Sequence, residues 1–304
     1  MLPPKIPKIA HCFWYHPSGL PFLRYLSIAS FAIQNPECDL RFYSLPGLAT
    51  GRAFNSHEQS VEHISKDYTE LLLSLPNVSR TEVPAELTAN LSIQLSTAVH
   101  VSDVLRVYLL STVGGYWIDS DIVFTTSLRN SFIGLKENEN VDTLLSLTSL
   151  GAICPYVTHR IGLLASSVEN VLFRSIMESL KTKTSTSEYQ AFGSVLYNEL
   201  YPTTRSIYKK HRSLSVLILP NHAVYSLHLT ELLSNRIRIE NFVNNSLIVG
   251  CHWYGGGDQL TEFVSLLNNA EDVESEIRRM KEEAPCFLVE LFCHSLQLLR
   301  VLGV

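Results

Sequence analysis

A chain of 304 residues, 46% of them hydrophobic, can bury one sizeable core and falls in the range of a single large α/β domain. A formal net charge of −5 and a sequence pI near 6.1 exclude the basic footprint that a nucleic-acid backbone requires. Six cysteines (Cys12, Cys38, Cys154, Cys251, Cys286, Cys293) lie scattered without a CxxC pair, which excludes a zinc knuckle or a small disulfide scaffold and leaves them as small buried apolar residues.

The opening MLPPKIPKIAH is broken by prolines and does not resemble a secretory signal. No segment reaches the roughly 20 apolar residues of a spanning helix. The expectation is a soluble, cytoplasmic protein in a reducing compartment. Sequons at Asn77, Asn90 and Asn244 are read as chance triplets.

Residues 6–14 form a short apolar run suited to a buried first strand, and residues 20–34 follow with helical spacing until Asn35-Pro36 stops them. Residues 40–45 read as a second strand, so the opening is β-α-β and predicts a parallel sheet with helices packed on it. Residues 51–96 are polar and mixed, with one helix expected near residues 58–75. In residues 97–112, Val101, Leu105 and Leu109 recur at helical spacing, and Gly114-Gly115 offers a stop where positive φ is permitted.

A strand over residues 116–124 comes next. Further helices are expected near residues 170–180 and 188–200, a strand at 215–219, and a short strand-like segment at 246–252. Beyond residue 260 the chain reads as helical. A charged piece at 271–283 breaks at Pro285 and leads into CFLVELFCHSLQLLRVL, expected to dock on the core, with contact to a membrane surface as the alternative use of its apolar face. The division is residues 1–260 as one α/β domain and 261–304 as a helical extension packed on it.

The chemistry concentrates in SDVLRVYLLSTVGGYWIDSDIVF, residues 102–124. Residues two apart in a strand share a face, which places Asp119 and Asp121 together, roughly 7 Å apart along the chain. Paired carboxylates at the end of an apolar strand need compensation, and a hard divalent cation supplies it while also accepting diphosphate oxygens. Asp103 and Arg106, at i and i+3, share a helix face. Asp103 is suited to accept sugar or ribose hydroxyls, and Arg106 to orient a carboxylate or balance charge.

The SDxxR and GGYWIDSD segments together resemble the DxD region of glycosyltransferases of the GT-A type, and most nearly glycosyltransferase family 32, which includes the catalytic domains of large clostridial toxins. IPKIAHCFW (residues 6–14), SIASFAIQNP (27–36), LILPNHAVYSLH (217–228) and GCHWYGGG (250–257) are similar to further family segments. The resemblance implies a Rossmann-like, mixed and mainly parallel sheet flanked by helices. It also implies a Mn2+ or Mg2+ ion on Asp119, Asp121 and His252. Residues 11–14 would border the nucleotide, Trp14 stacking on the base, and Trp253 would close the donor site. This chain departs from the family where Gly255-Gly256 replaces Ser-Trp, so backbone N–H groups of residues 255–257 become candidates for the diphosphate. Gly193, in AFGSV, also lacks the family's following proline.

The implied reaction moves a hexose from a nucleotide-sugar, UDP-linked before GDP-linked, to a hydroxyl of a glycan or protein acceptor with retention of configuration. The alternatives are a non-catalytic nucleotide-sugar or glycan binder on the same fold and a metal-dependent nucleotide-sugar hydrolase.

Overall fold

The computed structural model describes residues 5–45, 64–89, 97–137, 140–149, 156–183, 190–255 and 257–301. The first half runs β1 (Ile9–Phe13), α1 (Phe22–Gln34), β2 (Asp39–Ser44), α2 (Thr69–Leu73), β3 (Val78–Glu82), α3 (Ala85–Ala89), α4 (Ala98–Thr112), β4 (Gly115–Ile118) and β5 (Ile122–Phe124). There follow α5 (Phe132–Glu137), β6 (Thr143–Ser149), β7 (Val157–Ser166), α6 (Val171–Thr182), α7 (Ser194–Leu200), α8 (Thr204–Lys210) and β8 (Val216–Leu219). The chain closes with α9 (Leu229–Leu232), α10 (Ile239–Val243), β9 (Gly250–His252), α11 (Thr261–Asn269), α12 (Val273–Glu283) and α13 (Phe287–Val301).

Seven strands form one sheet in the order β3-β2-β1-β4-β7-β6-β8, and β5 pairs with β9 in a separate two-stranded sheet. Within the large sheet β7 alone runs against its neighbours β4 and β6; every other pairing is parallel. Helices cover both faces. One apolar layer joins α1 to the C-terminal helices, and the other is built from α4, α6 and α7. This is the mixed, mainly parallel, helix-flanked architecture, with C-terminal helices, that the sequence predicts.

Local chemistry sets the element ends near the centre of the sheet. The Thr97 side chain accepts a hydrogen bond from the His100 amide and starts α4. Gly114 and Gly115 end it with φ of 70° and 94°, where a side chain would also strike the Ser166 and Ile9 carbonyl oxygens at 2.8 and 2.3 Å. This double glycine turns the chain directly into β4 beside β1.

Residues 116–124 are not one strand. The chain leaves the large sheet after Ile118, turns through Asp119, Ser120 and Asp121, and enters β5 of the small sheet. Charged side chains at this point suit a turn better than a buried ladder position. Strands β3, β6 and β7 were not expected: β3 is a largely exposed edge strand of polar residues, and β6 and β7 mix Ser, Thr, His and Arg with Leu without clean alternation. The helix expected near residues 58–75 lies partly outside the described residues, where α2 is its described part. Of the expected helix at 188–200, residues 188 and 189 are outside and α7 is the remainder.

Residues 261–301 are continuous with the α1 layer. Val264, Leu267, Val273, Ile277, Phe287, Phe292 and Leu296 belong to the same buried cluster as Leu26 and Phe31. The apolar side of α13 therefore faces the core, and that side is not available for a membrane surface. No helix among the described residues is long and apolar enough to cross a membrane. Cys12, Cys38, Cys251, Cys286 and Cys293 are free and buried, as their scatter implies; Cys154 lies outside the described residues.

Candidate active site

From β1 the chain moves outward to β2 and β3 on one side, while β4 pairs on the other side of β1. In open α/β sheets such a switch point leaves a crevice at the strands' carboxyl ends. Trp14 directly follows β1 and Asp119 directly follows β4, so the predicted residues gather at that crevice.

Asp119 keeps 24% of its side chain exposed, and its Oδ1 accepts hydrogen bonds from Arg106 Nη2 at 2.8 Å and Trp117 Nε1 at 2.7 Å. Arg106 is buried, donates its other terminal nitrogen to Asp103 Oδ1 at 2.9 Å, and lies 4.9 Å from the Trp117 ring centroid. One guanidinium thus spans both carboxylates that the i,i+3 spacing put in reach. Burial opposes the Arg106 charge, but Asp119 and Asp103 outweigh it and hold its pKa above the ordinary value. Burial pushes Asp103 up to about 7 against the pull of Arg106. Among the described residues, Asp103 Oδ2 and Arg106 Nε are buried without a hydrogen-bond partner. Gly162 makes the opposite wall: a Cβ there would lie 2.5 Å from the Tyr225 hydroxyl and 2.9 Å from Asp119 Oδ2.

Asp121 is held from three directions. Its Oδ2 accepts the Gly255 amide at 3.1 Å and lies 3.5 Å from Arg24 Nη1, and its Oδ1 lies 3.2 Å from His252 Nε2. Burial works against its ionisation, but His252, Arg24 and the Gly255 amide outweigh burial and keep its carboxyl below the usual range. The Gly255 amide, expected to be open to a diphosphate, is thereby engaged with the carboxylate. Gly256 lies outside the described residues, and the Gly257 amide donates to the Tyr254 carbonyl at 2.7 Å.

One ligand atom each from Asp119, Asp121 and His252 lies within 4.8 Å of the others. Two carboxylates and an imidazole that converge in this way fit a Mn2+ or Mg2+ ion, with the imidazole favouring manganese. His252 is the member that must rearrange. Its Nδ1 accepts the Tyr254 amide at 3.2 Å, so the neutral ring carries its proton on Nε2 toward Asp121. A cation on Nε2 needs that proton moved to Nδ1 and the Tyr254 amide turned aside. Asp119 and Asp121 need no such change.

Trp14 is half-buried, with Nε1 donating to the Gly19 carbonyl at 3.0 Å. It lines a cleft of about 430 Å³ with Tyr15, His16, Phe42, Asp67 and Arg80. His11, expected at the nucleotide, is wholly buried instead, between the Gly114 carbonyl at 2.9 Å and the Tyr43 hydroxyl at 3.2 Å. Its place inside β1 turns it into the sheet, away from the crevice. Trp253 is also wholly buried. Its Nε1 donates to Ser27 Oγ at 2.9 Å and its ring meets Phe292 edge-on at 5.8 Å, so it packs in the core where a closing residue was expected.

Four residues that were not singled out complete the site. Arg24, on α1, reaches Ser120 Oγ at 3.0 Å. The Tyr225 ring stacks on His252 at 4.9 Å, its hydroxyl accepts the Gly162 amide at 2.8 Å, and Arg160 sits 5.7 Å from its centroid. Trp117 holds Asp119. The one legible signal was Arg24 itself, a charge in the otherwise apolar FLRYLSIASFAI helix.

Sequence comparison matches residues 55–147 to the family model described as "Capsular polysaccharide synthesis protein". No curated protein matches the chain. Among solved structures, the chain is similar to "PaToxG Glycosyltransferase" at 14% identity and a TM-score of 0.45, covering 67% of this chain and 70% of that one. It is also similar to the galactosyltransferase LgtC in complex with donor and acceptor sugar analogs, at 12% identity and a TM-score of 0.38, covering 88% of this chain and 99% of that one.

Proposed function

We propose that this chain is a metal-dependent glycosyltransferase. It moves a hexose from a nucleotide-diphosphate sugar, UDP-linked before GDP-linked, to a hydroxyl of a glycan or protein acceptor with retention of configuration. The observation that carries this reading is the convergence of Asp119, Asp121 and His252 at the switch-point crevice. The family model's span, which contains both the SDxxR and DxD segments, supports it. Residues 1–260 form the transferase unit in this reading, and 261–304 are an extension packed on it.

Mn2+ or Mg2+ would be held by Asp119, Asp121 and His252, and when bound it offsets the negative charge that builds on a departing diphosphate. The protein's own residues set the stage for that charge. Three carboxylates, Asp103, Asp119 and Asp121, face two guanidiniums, Arg24 and Arg106, so a divalent ion tips the local balance toward accepting an anion. Arg106 braces Asp119, and Asp103, buried with Gly193 packed against its Oδ2, anchors Arg106 where a contact to a sugar hydroxyl was expected. Trp14 offers its ring as a wall for the base.

The test is turnover of a nucleotide-sugar panel with and without manganese, with products separated by mass. Transfer to an acceptor is the expected outcome; free sugar alone would point to a hydrolase. Asp121→Ala should abolish manganese-dependent turnover while leaving the fold intact. Full activity in that variant, or in excess chelator, would remove the metal site.

A further inference from the structure

The helix α1 carries a polar stripe on an otherwise apolar element, and that stripe reaches the turn bearing Asp121. Ser30 Oγ accepts the Phe124 amide at 2.8 Å, Gln34 Nε2 donates to the Thr125 carbonyl at 3.3 Å, and Ser27 Oγ accepts Trp253 Nε1. Spaced at i, i+3 and i+7 from residue 27, these side chains lie along one face. They hold both strands of the small sheet against α1. Arg24 continues the stripe by one turn toward the crevice.

Arg24 is 5% exposed. Its guanidinium lies 4.7 Å from the Trp14 ring centroid and 5.0 Å from that of Trp253, so the two indoles flank it. Its Nη1 donates to Ser120 Oγ at 3.0 Å and lies 3.5 Å from Asp121 Oδ2. A planar, permanently charged fork suits this arrangement, because it can stack on rings with its faces and donate from its edge at once. The same group therefore touches the wall of the cleft (Trp14), the core strut (Trp253) and the turn between the two aspartates (Ser120).

We infer that Arg24 is a positioning residue: through Ser120 and Asp121 it fixes the aspartate turn relative to the Trp14 wall, so that a cation held at the aspartates and a base on Trp14 stand at one set separation. This rests on the glycosyltransferase reading and adds a determinant outside the DxD segment. A second consequence is electrostatic. A cation 3.5 Å from Asp121 orients that carboxylate but also repels a metal ion beside it. Removing the charge while keeping the bulk should uncouple the two effects.

The experiment compares wild type with Arg24→Met, Arg24→Lys and Ser120→Ala. It measures thermal unfolding, Mn2+ affinity from the electron paramagnetic resonance of the free ion, and kcat and KM for the donor. Arg24→Met should bind Mn2+ as tightly as wild type or more tightly, yet lose at least tenfold in kcat. Arg24→Lys should recover part of that loss, and Ser120→Ala, which removes one hydrogen bond, should lower kcat about threefold with Mn2+ affinity unchanged. If kcat in Arg24→Met stays within twofold of wild type, or falls in step with weakened Mn2+ binding and a lowered melting temperature, Arg24 is only a packing residue. Should both Arg24 variants fail to fold, an unaltered kcat in Ser120→Ala overturns the inference by itself. Failure of wild type to bind Mn2+ or turn over any donor is a distinct result, which sinks the underlying reading.

Discussion

At the scale of single residues, the site is organised by basic side chains that answer carboxylates. Arg106 spans Asp103 and Asp119, and Arg24 and His252 flank Asp121, so every acid of the SDxxR and DxD segments has a basic neighbour before any metal is considered. Trp14 stands at the edge of this arrangement with its indole nitrogen already bonded to Gly19, which leaves the ring as its contribution. Trp14→Ala should weaken nucleotide affinity roughly tenfold, the scale of a lost base–aromatic stack, without altering the metal requirement. Calorimetric titration with the nucleotide checks this, and unchanged affinity would return Trp14 to a purely packing role. Asn77 illustrates the same logic away from the site. Its amide donates to the carbonyls of Ala32, Asn35 and Cys38 at 3.0–3.2 Å, so this sequon serves the joint between α1 and β2. Asn77→Ala should cost about 1–3 kcal/mol in denaturant unfolding, the penalty of stranding buried carbonyls.

At the scale of elements, the decisive feature is the break between β4 and β5. Had residues 116–124 continued as one strand, the aspartates would share a face by pleat alone; in the structure a turn brings them together, and it is held by contacts from α1 and β9. The helix that delivers Asp103 and Arg106 depends on its first turn. Thr97→Ala removes the cap of α4 and should lower stability by about 1 kcal/mol, read as a shift in denaturant midpoint at constant m-value. A value near zero would mean that packing of α4 on α6 alone sets its start.

At the scale of the molecule, stability and site share one core. Trp253, directly after β9, packs on Phe292 of α13, so the C-terminal helix is tied to the crevice through an aromatic contact. Phe292→Ala should cost about 3–5 kcal/mol of global stability, measured by calorimetry, as a large buried ring is replaced by a cavity. Sensitivity to acid has a separate source in His11. Burial lowers its pKa to about 4 from an unperturbed 6.5, so the unfolded chain binds a proton across that interval and the folded one does not. Stability is therefore retained above pH 6.5 and lost progressively as pH falls toward 4, by up to about 3 kcal/mol. In His11→Gln the pH dependence of unfolding over this window should flatten; an unchanged slope would assign it to other groups.

The amino-acid sequence alone determined the α/β order, the α1 and α4 helices with their stops, the double-glycine turn, and the nearness of Asp103 to Arg106 and of Asp119 to Asp121, while His252 was brought to them only by the resemblance of GCHWYGGG to a family segment. These are written in short-range periodicity, in backbone chemistry at glycine and proline, and in motif spacing, all of which act within a few turns of chain. Only the tertiary structure decided that the DxD segment is a turn between two sheets. It also placed His11 and Trp253 in the core, and brought Arg24 and Tyr225 to the aspartates from about 100 residues away on either side. Burial and long-range contact depend on which surfaces meet after the sheet closes, and no local pattern carries that information.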